Sequence, residues 1–260
     1  MTAGAWSLCL ILAGCGPRRL TLPTDPGTPL PDFAQVHAQV SMACAGVRTM
    51  TAELGLSGRA GDQRIPRVRI VSGFARPSSM RLEAVGALGR RAFTLTARDG
   101  SATLLLESES RILRDAPPEE ILEALTGVRL APGDLQAILT GCVVPSPRPI
   151  AGRLHGNGWA SIDLEAGAVV YLQQQAGVWR LRAARRDAWQ IEYVTGAGLF
   201  PAAVRLQSQS AAVPVDLTTE ISQVATNDEL GPEVFRIDVP PGAQPLSLDE
   251  LRASGPLRGN

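Results

Sequence analysis

Apolar positions change their period along the chain, and each change marks an element. After Asp32, the residues Phe33, Val36, Val40, Cys44 and Val47 recur at three- and four-residue spacing, which predicts an amphipathic helix with Asp32 capping its first turn. From Thr49 the period falls to two. Met50, Ala52, Leu54 and Leu56 share one face while Thr51, Glu53, Ser57 and Arg59 share the other, the pattern of a long strand with one buried side. Further strands are predicted over 67–71, 80–85, 93–98, 102–108 and 111–114, with Asp99-Gly100 as a hairpin turn. The middle is helical: Pro118-Glu119-Glu120 opens a short helix that Gly127 stops, and Pro132-Gly133-Asp134 opens another that ends at Gly141. After the prolines of 145–149, strands are expected over 158–164, 169–175, 179–184, 189–194, 204–208, 215–224 and 234–239. From Pro240 the chain is rich in Pro and Gly, so 241–260 reads as a tail.

A helix stripe and a sheet face must each bury their apolar side against something. The order helix, strands, two short helices, strands therefore predicts one domain over 32–240, mainly β with α. Its expected form is a single curved antiparallel sheet, an unclosed β-barrel whose concave face is covered by the helices. Two small stacked domains are the other arrangement this order permits. Met50, Leu54, Leu56, Leu82, Phe93, Leu95, Leu104, Trp159, Trp179 and Trp189 are the candidates for the concave face, where they line a cavity or fill a solid core.

The N-terminus has a different character. Residues 5–13 read AWSLCLILA, an apolar run too short to span a bilayer but suited to an export signal. It ends in Leu12-Ala13-Gly14-Cys15, which resembles the bacterial lipobox. That resemblance implies a signal peptide over 1–14, cleavage before Cys15, and covalent diacylglycerol and N-acyl chains on Cys15 as the sole non-protein groups, together enough for stable membrane anchoring. The segment before the apolar run, MTAGAWS, departs from the usual leader in lacking Arg or Lys. Residues 15–31, rich in Pro and Gly, read as the acylated Cys followed by a flexible tether.

Composition narrows the function. The 260 residues are 45% hydrophobic and 19% charged, as in ordinary globular chains, and 25 basic residues balance 25 acidic ones. No basic excess points to a nucleic-acid partner. Every basic residue is Arg, so Lys-dependent chemistry is excluded. His37 and His155 are the only histidines, and neither stands in a recognisable catalytic or metal-binding motif; His37 is expected at the polar edge of the first helix. Asp163, Glu165, Glu192 and Glu220 are what solvated strand faces carry. No enzyme is expected.

The chain resembles the LolB/LolA outer-membrane lipoprotein-sorting family over roughly 33–142. The residues that carry this likeness are the first helix, the step Leu56-Ser57-Gly58-Arg59-Ala60, Met80-Arg81-Leu82-Glu83, Gly86-Ala87-Leu88-Gly89, and the helical stretch from Ala124 through Ala131-Pro132-Gly133-Asp134-Leu135 to Gly141. The resemblance implies a half-barrel enclosing an apolar cavity for lipid acyl chains. It also implies a LolB-like role at the periplasmic face of the outer membrane, fed by a periplasmic LolA-like carrier. An envelope interaction or sensing module on the same scaffold is the alternative. In that fold the first helix and the end of the last middle helix share the concave face, so Cys44 and Cys142 are disulfide candidates in an oxidising compartment, or else two separate buried thiols. Leu88, between glycines in a turn, matches a loop leucine that in LolB helps deliver lipoproteins into the membrane; the other reading folds it back over the sheet edge.

Overall fold

The computed structural model describes residues 20–86, 89–145, 147–208 and 214–254. Residues 1–14, Cys15 and Leu88, on which the leader, acylation and delivery-loop expectations fall, lie outside the described residues.

Two antiparallel meanders share one sheet. After the short β1 (Thr28–Pro29) and helix α1 (Phe33–Ala45), the first comprises β2 (Thr49–Ala60), β3 (Gln63–Ala75), β4 (Ser79–Val85), β5 (Arg91–Arg98), β6 (Ser101–Leu106) and β7 (Arg111–Ala116). Helices α2 (Pro118–Thr126) and α3 (Pro132–Thr140) cross to the second, which comprises β8 (Pro149–His155), β9 (Trp159–Leu164), β10 (Val169–Gln175), β11 (Val178–Arg186), β12 (Trp189–Thr195), β13 (Pro201–Ser208) and β14 (Val215–Thr226). The chain closes with β15 (Gln244–Pro245) and α4 (Leu248–Ser254). Along the sheet the order is β1-β8-β9-β10-β11-β12-β13-β14-β2-β3-β4-β5-β6-β7-β15. The last strand of the second meander pairs antiparallel with the first strand of the first, from Val215 opposite Ala60 to Thr226 opposite Met50. Only β15 is parallel to its neighbour, β7. The sheet is open, mainly antiparallel, and covered by helices, as the alternation of periods predicts.

Each helix ends where its punctuation residues place it. Pro118 and Pro132 open α2 and α3, where a missing N–H costs nothing, and Gly127 and Gly141 end them in the left-handed region at φ 78° and 89°. Asp32 occupies the N-cap of α1, but its side chain makes no capping hydrogen bond. The concave face carries Met50, Phe74, Met80, Leu95 and Leu104, and α2 sets Ile121 against the same core; all are fully buried, each contributing about 1.5–3 kcal/mol on leaving water.

Several expectations need correction. The strand expected over 67–71 runs as β3 from Gln63 and passes through Pro66 at a register shift, where one residue more stands on β3 than on β2 and the ladder needs no proline N–H. No strand forms over 234–239. The chain makes a short 3-10 turn at Pro232–Phe235, and the Arg81 guanidinium donates to the carbonyls of Val234 and Arg236 at 3.0 and 2.7 Å, replacing a sheet partner.

Strand β8 was not expected, because no residue of PIAGRLH is fully buried and so no alternation marks it. Nor is the segment up to 31 a free tether. Leu22 and Leu30 are buried, and Thr28–Pro29 pairs with β8. The segment beyond 240 likewise belongs to the domain: β15 lies against β7, and α4 buries Leu251 completely. Helix α4 opens on a capping box in which Glu250 accepts from the Ser247 N–H at 2.8 Å and Ser247 Oγ accepts from the Glu250 N–H at 3.2 Å. These bonds and Arg111 pull the Glu250 carboxyl down to about 2.

Candidate functional site

The apolar faces of sheet and helices do not meet everywhere. Between them lies a cavity of about 100 Å³, floored by Leu54 and Leu56 of β2, Ile70 of β3, Leu82 of β4, Phe93 of β5, Val204 and Leu206 of β13 and Leu217 of β14. Leu122 and Leu125 of α2, Val128, and Leu135, Ile138 and Leu139 of α3 form its roof. Among the described residues Thr126 and Thr219 are the only polar side chains lining it, and Thr126 Oγ1 is turned back to the Leu122 carbonyl at 2.7 Å. With no charge and almost no hydrogen-bonding capacity, the site suits an aliphatic ligand.

Two connections hold the roof. Arg186 at the end of β11 donates to Asp134 Oδ1 in the first turn of α3 at 2.9 Å and to the Val143 carbonyl beyond its last turn at 3.3 Å. At the other end Cys44 of α1 and Cys142 form a disulfide, with S–S 1.99 Å and Cα–Cα 5.6 Å, buried against Ala137. The Arg186–Asp134 pair is largely buried, its side chains 22% and 19% exposed, so water screens its attraction less than that of exposed pairs such as Arg148–Glu165.

Of the sequence-derived candidates, Leu54, Leu56, Leu82 and Phe93 line this cavity. Met50, Leu95 and Leu104 do not: fully buried, they fill solid core beside it. Trp189 packs partly buried against that core. Trp179 lines a second opening, of about 290 Å³, between α1 and β11–β13. Trp159 is a correction. In β9 the small and branched residues Ala160, Ile162 and Leu164 take the concave side, so Trp159 points to the convex one, where it clusters with Leu22, Tyr171 and Ala183. The roof residues and those of β13 and β14 were missed, although the spacing of Ile121, Leu122 and Leu125 and the alternation of Val204 and Leu206 carry the signal.

The titratable groups also differ from expectation. His37 is buried at 6% exposure rather than at a polar edge, with Nε2 3.2 Å from Ser41 Oγ, and burial lowers its pKa. Unfolding lets it bind a proton that the folded state resists. Stability is therefore expected to fall as pH drops below the ordinary histidine pKa of about 6.5, and to be restored above it. Thermal melts at about pH 7.5 and about pH 5.5 check this, with His37→Gln expected to flatten the difference.

His155 is held between Asp25 Oδ1, 3.0 Å from Nδ1, and Ser161 Oγ, 2.8 Å from Nε2. That bonding order matches a nucleophile relay. Here, however, Ser161 is buried on the convex face, lines none of the cavities described, and the array pins the segment around Asp25 to β8 and β9. Asp163, Glu165 and Glu220 pair with Arg153, Arg148 and Arg67 on exposed faces, whereas Glu192 is buried and accepts from Gln190 at 3.0 Å. Among the described residues no three His, Cys, Asp or Glu side chains gather to hold a metal, and no helix is long and apolar enough to cross a membrane.

No protein-family model matches the sequence, and no curated protein matches it. Solved structures do. A LolA superfamily protein from Nitrosomonas europaea superposes with a TM-score of 0.52 at 11% identity, covering 78% of this chain and 97% of its own. An outer membrane lipoprotein-sorting protein domain from Vibrio parahaemolyticus gives 0.50 at 8% identity, covering 78% and 95%. At such identities the likeness is one of fold, and both neighbours are spanned almost end to end: this chain has the LolA-like fold.

Proposed function

We propose that this chain is a membrane-anchored lipoprotein that receives lipid or lipoprotein acyl chains beneath α2 and α3, a LolB-like step in placing lipoproteins in the outer membrane. The observation that carries the reading is the uncharged cavity between the concave sheet and its two-helix roof. As it stands the cavity holds about 100 Å³, less than the ~150 Å³ that accommodates one benzene. An acyl chain therefore enters only as the roof lifts, and the Arg186 contact to Asp134 at the start of α3 is a bond that must give way. In this reading Cys15 bears diacylglycerol and N-acyl chains, the protein sits at the periplasmic face of the outer membrane, and a LolA-like carrier supplies its cargo. It performs no catalysis.

The test is native mass spectrometry of the full acylated protein purified from membranes. Copies carrying one lipid or acylated peptide are expected, and Leu206→Trp, which fills the cavity from the sheet side, is expected to remove that species while costing about 1–3 kcal/mol of stability. A stoichiometric protein partner with no bound lipid in the wild type would replace this reading with the envelope-sensing one.

A further inference from the structure

The second opening has walls unlike the first. It lies between α1 and the strands β11–β13, and its rim is built of large apolar side chains turned to solvent. Met42 on α1 is 73% exposed and Leu199 in the β12–β13 turn is 82% exposed, with Val178 and Val194 beside them. Only three other large apolar residues are comparably exposed among the described residues, and none of them lies on this groove. Soluble surfaces scatter such residues singly, so four around one groove mark a contact surface.

We propose that this rim is the surface by which the domain rests on a lipid bilayer, an inference that depends on the acylation of Cys15 proposed above. Two observations select a bilayer over a protein. Among the described residues the groove lining contains no carboxylate, and its one charged side chain is Arg180, next to the partly buried Trp179. Aliphatic tips, an interfacial tryptophan and a single cation match acyl chains, the headgroup region and lipid phosphate respectively.

The other observation is where the anchored segment leaves the domain. Leu20 packs against the convex cluster of Trp159, Tyr171 and Ala183. The stretch from Cys15 to Leu20 spans at most about 17 Å when fully extended, so acylated Cys15 holds that part of the sheet close to the bilayer. Trp159 stands opposite Gln173 in β10. The β10–β11 turn that presents Val178 is then only about 10 Å further along the strand. In the antiparallel sheet the β8–β9, β10–β11 and β12–β13 turns share one edge. The end of β4 at Val85 and the start of β5 at Arg91 lie on the opposite edge, as does the start of β8 with Ile150. Contact through the groove rim therefore directs the β4–β5 end of the sheet away from the anchoring membrane.

The experiment places an environment-sensitive fluorophore on single cysteines at Leu199, Val178, Arg90 and Ile150 in the full acylated chain. The labelled proteins are reconstituted in phosphatidylethanolamine–phosphatidylglycerol vesicles with and without brominated acyl chains, and co-flotation with the vesicles is scored alongside. Leu199→Cys and Val178→Cys labels are expected to shift to the blue and to be quenched several-fold more than labels at Arg90→Cys and Ile150→Cys. Protein that floats with vesicles while the Leu199 and Val178 labels stay unquenched overturns the inference and leaves anchoring intact. Quenching at Arg90 in place of Leu199 overturns it in favour of the opposite edge. Protein that does not float overturns the anchoring and this inference together.

Discussion

Replacing Cys44 and Cys142 together by Ser is expected to lower the stability of the folded domain by about 4–5 kcal/mol. The bridge spans 98 residues, and closing a loop of that length removes conformational freedom from the unfolded chain by about that amount in the chain-entropy account. Equilibrium denaturant unfolding of the oxidised and double-Ser proteins measures the difference; a change below about 1 kcal/mol would show that the unfolded state is already constrained without it. The bridge also fixes which part of the roof moves. It holds the end of α3 to α1, so the mobile part is α2 and the start of α3, on the side where Arg186 grips Asp134.

Gly58→Ala is expected to destabilise the protein by on the order of 3 kcal/mol, more than a typical exposed-strand substitution. Gly58 sits in β2 at φ 145°, where a Cβ would be driven into the carbonyl oxygen of Asp216 on β14. The Cβ is fixed to the β2 backbone and the atoms it meets, the Asp216 carbonyl and the Leu217 Cα, are backbone of β14, so neither side yields without shifting the pairing of the two meanders. The loss is read as a fall in thermal midpoint, with Ser57→Ala as the neighbouring control expected to be nearly neutral. Circular dichroism at low temperature should remain mainly β, since each meander keeps its internal ladders.

Much of this architecture was legible in the pattern of residues, and the failures have definite causes. Alternation from Met50 to Leu56 and the Pro and Gly punctuation of α2 and α3 are strong local signals, and tertiary packing agrees with them. Pro66 hid the first part of β3, because a proline argues against a strand unless a bulge takes it. Val234 to Val239 alternates as a strand does, yet Arg81 satisfies its carbonyls from the side. Helix α4 was overlooked although Ser247 and Glu250 stand at capping-box spacing.

The cavity was legible on one side only. Its floor in the first meander follows from the period of two, whereas the choice between Trp159 and its neighbours depends on which side of β9 faces inward, a matter of one residue in register. The disulfide candidates lie almost a hundred positions apart, and only the helix-over-sheet architecture brings them within bonding reach.

The pairing of β14 with β2 has a consequence for how the protein reaches its native state. Neighbours across it are almost the whole domain apart in sequence; the Arg48 N–H that donates to Asn227 Oδ1 does so across 179 positions. Contacts of such separation form slowly, because the intervening chain must be ordered before they are rewarded. During synthesis β2 to β7 can fold into a sheet long before β14 exists, leaving one flank of β2 with unpaired backbone groups. Glu53 and Arg59, on the solvent side of that strand, are the kind of charged residues that discourage another chain from pairing there while it waits. The first meander is thus born with a sticky edge, and aggregation during biogenesis is governed by how quickly residues 215–226 arrive to cover it.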